Sequence, residues 1–282
     1  MSIVGTGAHT YRIEDWPQLP GRPPLPDVVA IGIDKDERLY VFNRGDEPML
    51  VFDRTGNFIT SWGLGRFRRP HGLHLGPDET IYCSDDSDHG VRKFTLQGEL
   101  LLEIGVPRSS ACDGGDRSSH RCTHVATSRH NSIFVADGCC DRIHKYSADG
   151  MMLASWGAPG SAPGQFRLPH SVCCDAEGSV YVADRDNDRV QVFAADGTFR
   201  AQWSNLHHPS ALFIASDPEQ LCYVGELQPP RITVLRRDGR MVAQLASDAF
   251  TAPHCVAVDS LGDIYVGQVR ASPRPLLKLK KF

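Results

Sequence analysis

The chain has 282 residues, 41% hydrophobic and 23% charged, so it holds enough apolar material for a substantial core and an ordinary charge content for a globular protein. A formal net charge of −4 argues against a nucleic-acid or anionic-membrane binder, whose footprint is usually basic. No apolar run approaches the ~18 residues of a membrane span, and the first residues, MSIVGTGAHTYRIEDW, do not read as an export leader. The expectation is therefore a cytoplasmic protein that binds neither nucleic acid nor membrane, a monomer or weak homo-oligomer. Its nine cysteines are expected mostly as reduced thiols.

Twenty-six glycines and nineteen prolines favour a turn-rich β chain. Short apolar runs end at Tyr40, Tyr82, Phe134, Tyr181, Tyr223 and Tyr265, at spacings of 42, 52, 47, 42 and 42 residues. A period near 42 with short strands and no helical pattern indicates propeller blades. The fourth unit shows the pattern best: SVCCD, a turn at AEGS, VYVAD, a polar loop, RVQVF, a turn at ADG and a last strand TFRAQW. Trp62, Trp156 and Trp203 end the fourth strands of units one, three and four, whereas Trp16 ends YRIEDW with no blade before it. The last unit lacks a fourth strand after LLKLKKF, so Tyr11–Trp16 is expected to complete it and close the ring, which removes two open sheet edges. The expected fold is all-β, a six-bladed β-propeller in one domain over 1–282, with blades at about 28–63, 69–105, 121–157, 168–203, 208–246 and 252–282 plus 9–16. An insertion from Val106 to Arg121, rich in Ser, Gly, Asp and Arg, reads as a surface loop or lid.

Aligned at the start of the innermost strand, blade two reads RPHGLHL, blade four LPHSVCC and blade six APHCVAV. His71, His170 and His254 share one repeat position, where the other three blades carry Val29, Thr123 and Ser210. Alternate blades of a six-bladed ring are related by about 120°, so three imidazoles are expected to converge, the usual ligand set of a catalytic zinc with an open fourth position. His74, His124 and His144 read as surface or packing residues.

At the end of the second strands, VFNRGD of blade one and VADRDN of blade four place Arg44 and Arg185 at equivalent positions. A guanidinium grips a carboxylate through a planar fork; the alternative is a solvated arginine paired to Asp46 or Asp186. VADGCCDR of blade three aims Cys139 or Cys140 at the same rim, either as a thiolate or as an inert turn residue. Asp85, Asp137 and Asp184 end second strands and read as turn-capping groups. The RFRR stretch with Arg66, Arg68 and Arg69 is a local basic patch.

These residues resemble the NHL-repeat family over essentially the whole chain, and within it the peptidyl-α-hydroxyglycine α-amidating lyase branch. The resemblance rests on RPHGLHL, LPHSV, APH, NRGD, VADR and VADGCC. It implies a six-bladed propeller holding zinc through His71, His170 and His254, with Arg44 and Arg185 in substrate binding and catalysis. The implied reaction splits an α-hydroxyglycine carbinolamide into an amide and glyoxylate. Two positions depart from that family. Cys139 stands where the branch has its catalytic tyrosine, and Cys255 stands where an aspartate holds a structural calcium whose backbone ligands would map to Ile31 and Leu73. Tight calcium binding is therefore not expected. The family's blade-three disulfide would use Cys140, with Cys122 two residues out of register as its nearest upstream match.

The leading expectation is a zinc-dependent lyase acting on a small carboxylate-bearing substrate of hydroxy-acid or carbinolamide type, with Arg44, Arg185 and Cys139 as its catalytic residues. The alternatives are a non-catalytic NHL-repeat interaction scaffold and a metal-dependent hydrolase or hydratase on the same three histidines.

Overall fold

The computed structural model describes residues 2–17, 19, 21, 23–107 and 122–282. Residues 108–121 of the expected surface insertion lie outside them; at its start, Val106 is buried and its amide donates to the His89 carbonyl at 3.1 Å. Among the described residues the chain forms six antiparallel sheets, five of four strands and one of five. This is the six-bladed β-propeller that the repeat implies. Regular helix among the described residues is confined to one 3-10 turn, Arg185–Asn187, and no helix is long and apolar enough to cross a membrane.

The chain divides into two compact units, Met1–Gly65 with Phe213–Phe282, and Arg66–Leu212. In the first, the N-terminal strand His9–Asp15 pairs with the C-terminal strand Leu276–Lys281, from Tyr11 opposite Lys281 to Asp15 opposite Leu277. Blade six thus takes its fourth strand from the other end of the chain. Ile3–Thr6 adds a fifth strand outside it that the repeat did not announce. Trp16 follows the closing strand and packs edge-on against Tyr265 at 5.0 Å and Phe52 at 5.6 Å.

The periodic tyrosines have a structural cause. The hydroxyls of Tyr40, Tyr181 and Tyr265 meet carboxylate oxygens of Asp34, Asp175 and Asp259 at 3.2, 2.9 and 3.2 Å. Those same aspartates accept backbone amides of Arg38, Ser179 and Asp263 across the turn between the first two strands. Each tyrosine thereby buries its ring and staples the turn that begins its own strand. Burial, with the neighbouring Asp34 charge, pushes the Tyr40 hydroxyl up to about 12.

The tryptophan register also follows from contact. At Gly56, with φ +95°, an added Cβ would lie 2.7 Å from the Trp16 indole nitrogen. At Gly197, with φ +89°, it would lie 2.9 Å from the Trp156 ring. In both places the terminal tryptophan of one blade is covered by the turn glycine of the next, a close approach that only glycine permits.

Candidate metal centre

Four inner strands begin with proline, Pro70–Leu75, Pro169–Cys174, Pro209–Ile214 and Pro253–Val258, and in all but Pro209–Ile214 a histidine follows it. Proline is tolerated as a first strand residue because its missing N–H breaks no ladder bond. The register against the second strand slips immediately afterwards, between Pro70 and Leu73, Pro169 and Ser171, and Pro253 and Cys255. His71, His170 and His254 therefore each sit within a β-bulge, the device that re-aims a side chain out of the pleat.

Each imidazole is then fixed by its Nδ1. His71 reaches the Thr123 carbonyl at 2.6 Å, His170 that of Ser210 at 2.7 Å, and His254 that of Val29 at 2.9 Å. A carbonyl can only accept, so each Nδ1 carries the proton and each Nε2 presents its lone pair. The three acceptors are the same three residues that occupy the histidine position on the alternate blades, so one blade supplies the imidazole and the next orients it. In the second unit, the His71 and His170 rings stand edge to face at 5.0 Å between centroids, both only 2% exposed. In the first unit, His254 is partly buried. This donor set fits a dication such as zinc: neutral nitrogens with the distal N–H tied to backbone oxygen, as is usual for metal-bound histidine.

The sequence reading missed a carboxylate beside this pair. Asp86 is fully buried, its Oδ2 lies 3.8 Å from Nε2 of His71, and the Arg69 Nη1 holds that oxygen at 2.7 Å. Its signal was positional. Asp86 follows the last residue of the second strand of blade two, Thr80–Asp85, the register that holds Arg44 on blade one and Arg185 on blade four.

Both arginines are already engaged. In the first unit, Arg44 meets Asp27 Oδ2 at 3.3 Å, rather than Asp46, and lines a cavity of about 460 Å³ with Leu25, Pro26, Asp27, Ala271 and Ser272. In the second unit, Arg185 opens the 3-10 turn and meets Asp186 at 3.0 Å.

The expectation of a Cys139 thiolate is corrected. Cys139 and Cys140 are both disulfide-bonded, so Cys139 carries no ionisable thiol in this state. Cys122, the nearest sequence match to the family's bridge, is free and buried, and burial raises its thiol well above the ordinary range. The expectation of reduced thiols holds for Cys83, Cys122, Cys173, Cys174, Cys222 and Cys255 and fails for these two. Cys255 packs in the apolar cluster with Val28 and Tyr265, its Sγ 3.9 Å from the Val28 carbonyl, and supplies no carboxylate for calcium.

His74, His124 and His144 are packing residues rather than surface ones. His74 meets Thr127 Oγ1 at 2.9 Å and His124 meets the Val172 carbonyl at 3.1 Å. Burial lowers His74 to about 3, assisted by His124, and lowers His124 to about 4. Asp137 lies between His89 and His144, at 3.3 and 3.4 Å. Burial opposes its charge, yet these two hydrogen bonds hold its carboxyl below the usual range. Of the three expected turn caps, Asp85 and Asp184 accept backbone amides from the segment ahead of their inner strands, and Asp137 accepts the Cys140 amide at 3.2 Å.

The NHL repeat family matches residues 166–193, from the approach to the inner strand of blade four through its third strand. The chain is 29% identical over 204 residues to peptidyl-glycine alpha-amidating monooxygenase B of Xenopus laevis, covering 60% of this chain and 23% of that protein. It is 32% identical over 136 residues to a probable peptidyl-alpha-hydroxyglycine alpha-amidating lyase of Caenorhabditis elegans, covering 45% of this chain and 37% of that one. The matched region is thus well under two thirds of either relative. Among solved structures, a streptogramin B lyase superposes with a TM-score of 0.68 over 96% of this chain and 98% of that one at 11% identity, a likeness of fold.

Proposed function

We propose, for a chain that is an NHL-repeat β-propeller with relatives among the amidating lyases, that it is a zinc-dependent lyase cleaving a small carbinolamide or related α-hydroxy acid. The observation that carries this reading is the repeated posture of His71, His170 and His254: a bulge after proline, Nδ1–H given to a carbonyl, and Nε2 left as the acceptor. In this reading the three imidazoles are the ligands of a single metal ion. When bound, the ion supplies Lewis acidity at a hydroxyl or carbonyl oxygen.

The protein's own residues do the rest. Arg44 and Arg185 take the substrate carboxylate, each leaving its present aspartate, Asp27 or Asp186, and so convert an encounter into a positioned complex. Cleavage of the carbinolamide is balanced by three events. The hydroxyl gives up its proton, its oxygen becomes the aldehyde oxygen of glyoxylate as the C–N bond breaks, and the departing amide nitrogen takes a proton. A disulfide-bonded Cys139 takes no part in that transfer.

Metal analysis of the purified protein beside His71→Ala, His170→Ala and His254→Ala tests the reading. Loss of zinc in the three variants supports it, and full retention in all three sinks it. Release of glyoxylate from an α-hydroxyglycine separates a lyase from a hydratase or hydrolase.

A further inference from the structure

We infer that Asp86 is the anionic member of this metal centre and sets its affinity for the cation, an inference that rests on the three-histidine reading. Because His71 donates its Nδ1 proton to Thr123 O at 2.6 Å, the Nε2 that faces Asp86 is an acceptor. The facing atom of Asp86 is a carboxylate oxygen, also an acceptor, 3.8 Å away. Both side chains are shielded from water, at 2% and 0% exposure. Two acceptors turned toward each other in a low-dielectric interior repel, and a cation beside them reverses the sign of both interactions.

Arg69 leaves this juxtaposition in place: its guanidinium holds Asp86 Oδ2 at 2.7 Å, and the same oxygen still faces Nε2 of His71 at 3.8 Å. The Asp86 amide also donates to the Arg69 carbonyl at 3.2 Å, so both backbone and side chain fix the direction in which the carboxylate points. An ion pair serving only to close the loop would not need a buried partner aimed at an imidazole nitrogen. Asp86 acts here as a positioning residue for the cation through charge.

The test is zinc affinity by chelator competition on the full chain, with apo-protein melting measured in parallel. Asp86→Asn keeps the shape and removes the charge. Zinc binding is expected to weaken at least about tenfold, while the apo protein melts at or above the wild-type temperature because the facing acceptors are relieved. Asp86→Glu, which restores the charge, is expected to recover most of the affinity. Should Asp86→Asn bind zinc within twofold of wild type, or should apo Asp86→Asn and Asp86→Ala both melt well below wild type with unchanged affinity, Asp86 is a structural ion-pair partner and the inference falls. That outcome leaves the three-histidine reading standing so long as His71→Ala loses zinc. If His71→Ala retains zinc fully, the reading itself fails.

Discussion

Blades two and four use one backbone device and present opposite charges from it. Asp85 and Asp184 both end a second strand, and both turn back to accept amides ahead of the inner strand. Asp85 takes Arg68 N at 2.7 Å and Arg69 N at 3.1 Å, and Asp184 takes Arg167 N at 2.7 Å. The next residue is then free to vary, and it is Asp86 on one blade and Arg185 on the other. The repeat thus separates a structural acid, kept because backbone amides need an acceptor, from a neighbouring position whose charge differs between the two blades.

The supporting shells differ as well. On blade four, Arg189 is buried and binds Asp184 at 2.8 Å together with the carbonyls of Ser161, Ala162 and Gln165. Blade two has Gly90 at that place. Asp85 instead accepts two further amides, from Ser87 at 3.0 Å and Asp88 at 2.9 Å.

The largest effect expected from breaking this comparison is at Asp184. Asp184→Ala leaves the Arg189 guanidinium buried without its carboxylate and is expected to cost about 3–5 kcal/mol, read from urea unfolding. The same change at Asp85 strips the acceptor from four amides and takes one carboxylate from Arg92, whose Nη1 lies 4.0 Å away but which keeps Asp88 and Glu103 as partners. A loss of about 1–3 kcal/mol is expected there. Equal losses at the two positions would show that Arg189 adds nothing to the latch.

A pH titration of stability sharpens the comparison from the histidine side. Unfolded, His74 and His124 protonate near their ordinary 6.5; folded, they stay neutral down to about 3 and about 4. The unfolded state therefore binds more protons across that window. Stability is fully present above the unfolded value and falls as pH drops, with a slope of about 1.4 kcal/mol per pH unit for each group. Asp184, whose carboxyl burial raises from its ordinary 3.8 despite its hydrogen bonds, works with the opposite sign: its contribution is present below 3.8 and is lost as pH rises through the folded value. His74→Gln should shallow the acid limb of a denaturation series by one such slope, and an unchanged limb would contradict the assignment.

The smallest stability effects are expected at the varied positions. Arg185→Ala should shift unfolding by no more than about 0.5 kcal/mol, since its pair with Asp186 is partly exposed. It should weaken binding of a small carboxylate such as lactate, measured by calorimetry on the zinc-loaded protein. Cys139→Ser should leave zinc content unchanged, because the residue is disulfide-bonded rather than a metal-facing thiolate; loss of zinc in that variant would return the cysteine to the centre.

Much of this was legible in the residues because a repeat writes its structure locally. The tyrosine spacing, the orphan strand ending at Trp16 and the proline–histidine pairs each recur at a fixed offset, and a fixed offset in a repeat maps to a fixed place in a blade. The six-bladed fold and its closure by His9–Asp15 against Leu276–Lys281 follow from that pattern. What tertiary structure alone decided are contacts between residues with no fixed offset. Arg44 meets Asp27 instead of Asp46, Cys139 is disulfide-bonded, and Asp86 reaches His71 only because a bulge turns the imidazole. His254 finds Val29 across 225 residues of chain. Hydrogen bonds and charges act over a few ångströms of space, so the partner of a polar group is settled by the packing of strands, whereas the apolar and turn pattern that builds those strands acts along the chain and is written in its order.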